Sequence, residues 1–108
     1  MIKVIMLMKR RPGMTISEFR DYYENNHRVI GEKYLNGFAV KYIRRFINPL
    51  IDRSGNLTDP EYDVLMEVWY PDEETFKACG EKLSEPEIAK EIKEDEEKIF
   101  DTRFMRSY

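Results

Sequence analysis

Seven residues near the start of the chain, Ile2-Lys3-Val4-Ile5-Met6-Leu7-Met8, are apolar everywhere except Lys3, on both of the alternating faces that a strand presents. The run is too short to cross a bilayer, and the turn signal Arg11-Pro12-Gly13 closes it. It predicts a central strand buried on both sides. The charged start and small-residue cleavage site of a signal peptide are missing. A cytoplasmic location without membrane contact is the expectation.

A second segment, Tyr62–Tyr70, has the same two-sided character. Tyr62, Val64, Met66, Val68 and Tyr70 fall on one face, and Asp63, Leu65, Glu67 and Trp69 on the other. Ala39–Ile47 predicts a further strand. Between these two strands lies Asn48–Glu61, with Pro49, Ser54-Gly55 and Asp59-Pro60, too long for a hairpin loop and readable as a lid or an excursion.

Thr15-Ile16-Ser17-Glu18 has the form of a capping box. It opens a helix expected to reach the Tyr34 region, where Asn36-Gly37 supplies the stop. Pro71-Asp72-Glu73 starts a short helix. Ser84-Glu85-Pro86-Glu87 reads as a second capping box, opening a helix toward Phe100, and Thr102–Tyr108 as a final strand.

The order is strand, helix, strand, strand, helix pair, strand. It predicts one α+β domain over residues 1–108, a ferredoxin-like antiparallel sheet with helices on one face. The other face is then bare yet apolar, and a second copy of the chain is its natural cover, so a homodimer is expected.

Charge narrows the partners. Lys and Arg total 18 against 21 Asp and Glu, a net charge of −3, which argues against a protein built to hold nucleic acid. Lys9-Arg10-Arg11 and Arg44-Arg45 are basic clusters, but neither candidate strand has the aromatic and glycine spacing of an RNA-recognition motif. Cys79 is the only cysteine and His27 the only histidine, so neither an internal disulfide nor a Cys/His zinc site can form. No metal or other cofactor is expected.

On a 3.6-residue wheel the first helix lines up Ile16, Phe19, Tyr23, Ile30 and Tyr34. His27 sits in the middle of this stripe, facing the sheet. A core histidine bonded to a carbonyl or tyrosine is one reading. Polar tips among large aromatics fit a ligand pocket better, and an imidazole there can move protons near neutral pH. The last helix carries a parallel anomaly: Asp95 interrupts the stripe Ile88, Ile92, Ile99. It is either salt-bridged internally, with Arg44, Arg45 or Arg103 as partners, or it orients His27 or contacts substrate. The run Glu94-Asp95-Glu96-Glu97 otherwise reads as a solvated face.

Met8-Lys9-Arg10-Arg11-Pro12-Gly13-Met14-Thr15, followed by Phe19-Arg20-Asp21-Tyr22-Tyr23-Glu24-Asn25-Asn26-His27, closely resembles the opening signature of the EthD family. Tyr62-Asp63-Val64 with Glu67-Val68-Trp69, and Asp95-Glu96 with Phe100, look like its remaining motifs. The resemblance implies a dimeric α+β barrel, a superfamily that includes polyketide cyclases, cofactor-free oxygenases, dehydratases, decarboxylases and haem-degrading enzymes. Many members continue beyond the last strand, so a pocket wall or dimer contact from such a tail is expected to be missing here.

The expected function is a cofactor-independent enzyme for a small, apolar, aromatic or polyketide-like molecule. His27 is its acid–base residue, Asp95 supports it, and Phe19, Tyr23, Tyr34 and Trp69 contact the ligand. The alternative is a non-catalytic carrier or accessory protein for a hydrophobic metabolite; haem binding through His27 is a third and weaker reading.

Overall fold

In the computed structural model, which describes all 108 residues, β1 (Ile2–Met8) leads into α1 (Ile16–Tyr22). A widened π turn (Tyr23–His27) joins α1 to α2 (Arg28–Leu35). Then come β2 (Lys41–Phe46), β3 (Val64–Tyr70), α3 (Glu73–Leu83), α4 (Pro86–Ile99), a 3-10 turn (Thr102–Phe104) and β4 (Arg106–Ser107). The four strands lie in the order β2-β3-β1-β4, every pairing antiparallel. This is the ferredoxin-like architecture expected from the order of elements.

The capping box at Thr15 is fully formed: Glu18 N–H donates to the Thr15 hydroxyl oxygen and Thr15 N–H to the Glu18 carboxylate, each at 3.1 Å. The second expected box is not. Ser84 turns back to donate to the Gly80 carbonyl at 2.8 Å, so α4 starts at Pro86 with no side-chain cap. At the far end of α2, Gly37 takes a φ of +88°, a conformation that costs glycine little and lets the chain reverse into β2.

The final strand is shorter than expected. Asp101 accepts the Arg103 N–H and pairs with its guanidinium at 2.8 Å, winding residues 102–104 into the 3-10 turn. Pairing with β1 is therefore split: Phe100 bridges Arg10 before the turn, and Arg106–Ser107 pair with Met6–Leu7 after it. The 48–61 connection is an excursion. Ile51 bridges Leu57 around a turn in which Asp52 accepts the Ser54 and Asn56 N–H groups at 2.9 Å.

Strand alternation decides what the helices cover. Val4, Met6 and Met8 of β1 share a face with Val64, Met66, Val68 and Tyr70 of β3. On that face two buried clusters form, Met8, Phe19, Tyr23, Val64, Ile99 and Phe100 in one, Leu35, Val68, Tyr70 and Cys79 in the other. Each large side chain so buried contributes about 1.5–3 kcal/mol. The opposite face carries Ile5, Leu7, Ile43, Leu65 and Trp69, all half-buried, with no helix over them.

Candidate functional site

Between the two buried clusters the helices do not meet the sheet, which leaves a cavity of about 260 Å³. Its floor is Val4, Met6 and Met8, Tyr42, and Met66, Val68 and Tyr70; its roof is His27, Ile30, Gly31, Tyr34 and Leu35, with Phe76, Leu83, Ile92 and Glu96 completing the wall. No lysine or arginine lines it. A small, mostly apolar hollow with few polar groups is the usual form of a small-molecule site.

Gly31 lets the roof come down: a Cβ there would stand 3.0 Å from the Tyr42 ring. The widened turn fixes the rest of the roof. Arg28 N–H reaches back five residues to the Tyr23 carbonyl, so Tyr23 and His27 stand over the sheet one turn apart.

His27 is held on three sides. Its ring meets Tyr23 and Phe100 edge-on, with centroids at 5.2 and 5.1 Å. Its Nδ1 lies 2.8 Å from Asp95 Oδ2, and Asp95 Oδ1 accepts the Tyr22 hydroxyl at 2.6 Å. A carboxylate taking a bond from Nδ1 assigns the proton to Nδ1 and leaves the Nε2 lone pair as the ring's free basic site on a cavity-lining residue. Burial lowers the His27 pKa below its ordinary 6.5, opposed by the hydrogen bond and charge of Asp95.

The arginines considered for Asp95 are engaged elsewhere: Arg44 with Glu24, Arg45 with Glu67 and Arg103 with Asp101. Asp63 is also paired, its carboxylate taking the Arg10 guanidinium at 2.7 Å and the Arg10 N–H at 2.8 Å. This clasp lies away from the cavity.

Of the side chains expected to contact a ligand, Tyr34 lines the cavity, its hydroxyl donating to Glu91 of α4. Phe19 and Tyr23 do not line it: both are buried in the first cluster, where aromatic side chains close over them edge-on. Tyr23 supports the site from behind, its hydroxyl 3.2 Å from that of the cavity residue Tyr42. Trp69 lies on the bare face, since it alternates with Val68 and Tyr70 of the covered one. Lys3 and Lys41 sit over its ring at 4.0 and 4.5 Å.

Glu96 and Tyr42 are cavity residues that sequence reasoning missed. The signal for Glu96 was its position four residues after Ile92, hidden inside an acidic run.

The family model described as EthD domain matches residues 11–103. Among solved structures, a protein of the ethyl tert-butyl ether D (EthD) family from Bacillus halodurans superposes with a TM-score of 0.66 at 16% identity, covering 100% of this chain and 95% of that one. HapK from Hahella chejuensis superposes with a TM-score of 0.56 at 9% identity, covering 99% and 90%. No curated protein matches the chain. No helix is long and apolar enough to cross a membrane.

Proposed function

The chain belongs to the EthD family, and from that premise we propose a cofactor-independent enzyme acting on a small, largely apolar aromatic or polyketide-like compound, with His27 as its acid–base residue. The observation that carries this reading is the buried contact of 2.8 Å between His27 Nδ1 and Asp95, beside an apolar cavity. A fixed Nδ1–H tautomer leaves Nε2 free to take a proton from a bound molecule. A pKa lowered by burial keeps that nitrogen unprotonated at neutral pH. Asp95 is a positioning residue: it aligns the ring and stabilises the imidazolium formed when Nε2 is protonated.

The reaction class is one in which His27 moves a proton at an activated carbon during dehydration, cyclisation, decarboxylation or oxygenation, with molecular oxygen as co-substrate in the last case. Tyr34 and the methionines of the floor pack against the substrate. The bare sheet face pairs with a second copy: Ile5, Leu7, Ile43, Leu65 and Trp69 surround a central Glu67, whose carboxylate is already satisfied by Arg45 and the Trp69 indole N–H, and Lys3 and Lys41 flank the Trp69 end.

The test is to identify the compound that co-purifies with the recombinant protein and to follow its conversion by parent and His27→Ala. Loss of turnover by a hundredfold or more in a folded variant supports the reading. A parent that binds the compound, converts nothing and keeps the same affinity in the variant is a carrier instead.

A further inference from the structure

Two ionisable groups on the cavity wall are free to meet a ligand, His27 Nε2 and the Glu96 carboxyl. The tyrosine hydroxyls there are engaged: Tyr34 with Glu91, Tyr42 with Tyr23, and Tyr70 with the Cys79 sulfur at 3.7 Å. Glu96 has no hydrogen bond or ion pair to any side chain, and only burial and the neighbouring charge of Asp95 act on it, both raising its pKa. Half-buried against apolar walls, that carboxyl keeps accessible oxygens and can take a donor from a bound molecule. With no lysine or arginine on the wall, an anionic ligand would meet Glu96 uncompensated.

Resting on the reading of this cavity as a ligand site, we propose that Glu96 is its specificity-determining residue. Its carboxyl receives a hydroxyl or N–H donor of an uncharged ring compound and turns away ligands that carry a carboxylate. The substrate class is then narrower than apolar aromatics, and substrates of decarboxylation drop out: neutral hydroxylated or N–H-bearing rings remain, anchored at Glu96 while His27 addresses another part of the same molecule.

Calorimetry on the intact protein with naphthalene, 2-naphthol and 2-naphthoate tests this. The parent is expected to bind 2-naphthol and naphthalene and to discriminate against 2-naphthoate. Glu96→Leu should weaken 2-naphthol about tenfold or more, the scale of a hydrogen bond to a charged group, and leave naphthalene unchanged, which also certifies an intact cavity. Glu96→Gln should bind 2-naphthoate better than the parent does. If 2-naphthol and naphthalene keep their parental ratio in Glu96→Leu, or the parent binds 2-naphthoate as tightly as 2-naphthol, the assignment of Glu96 is overturned and the ligand cavity stands. If the parent binds neither naphthalene nor 2-naphthol, the cavity reading fails and the proposal falls with it.

Discussion

Tyr22 and His27 share one carboxylate, each holding a different oxygen of Asp95, at 2.6 and 2.8 Å. They flank the widened turn, Tyr22 just before it and His27 at its end. Burial, then the hydrogen bond and charge of Asp95, push the Tyr22 hydroxyl up to about 12, so it stays a donor across the neutral range. Tyr22→Phe removes that donor and concentrates the Asp95 charge on the imidazole. His27 should then titrate at higher pH than in the parent, read from its ring-proton NMR signals, with a stability loss of about 1 kcal/mol.

Asp95→Ala has a larger expected effect. It leaves both Tyr22 and a buried His27 without their partner, and should cost roughly 3 kcal/mol in urea unfolding. Glu97→Ala, two residues on and exposed, should stay within about 0.5 kcal/mol. Equal losses would mean that the shared carboxylate contributes nothing to the fold.

The pH dependence of stability carries a sign. Burial lowers the native His27 pKa from 6.5, so the unfolded chain binds this proton at higher pH than the native protein does. Stability from His27 is therefore full above about pH 6.5 and is lost as pH falls through that value toward the native pKa. Glu96 acts in the opposite sense: its raised native pKa gives a contribution present below about 4.5 and lost as pH rises through the native value. Comparing parent with His27→Gln removes the Glu96 part. The parent's advantage should shrink between about pH 7 and about pH 5; an advantage independent of pH would show an imidazole that is not desolvated.

The bare sheet face yields a hydrodynamic prediction. Ile43 lies beside Glu67 on the exposed side of the sheet, away from the cavity. Ile43→Glu should convert a sedimenting dimer to monomer with little change in secondary structure. A parent that sediments as a monomer at micromolar concentration would rule out pairing through this face.

Much of this fold could be read from periodicity. The apolar alternation of β1 and β3, the Thr15–Glu18 box and the Asn36-Gly37 stop are local signals with local causes, and each sits where its pattern put it. The His27 and Asp95 anomalies were visible because a polar side chain interrupting an apolar stripe must find a partner. Depth was not legible: Phe19, Tyr23 and Tyr34 share one stripe, yet only Tyr34 reaches the cavity, because enclosure by Phe46 and Phe100 is a tertiary fact. Trp69 shows the same limit for strands, since alternation sorts residues into two faces without saying which one the helices cover. The widened turn at Tyr23–His27 carries no proline or glycine to announce it.

The contact between His27 and Asp95 spans 68 residues and joins the first strand–helix–strand half to the second. Closing so long a loop is entropically costly, and the contact exists only when both halves are in place. Until α4 has docked on the helix that carries His27, nothing selects between the two tautomers of the imidazole. The proton on Nδ1 is therefore a product of complete folding, and any fluctuation that lifts α4 releases the imidazole from Asp95 at the same moment. The ring resonances of a single histidine thus become a gauge of whether the two halves of the molecule are clasped.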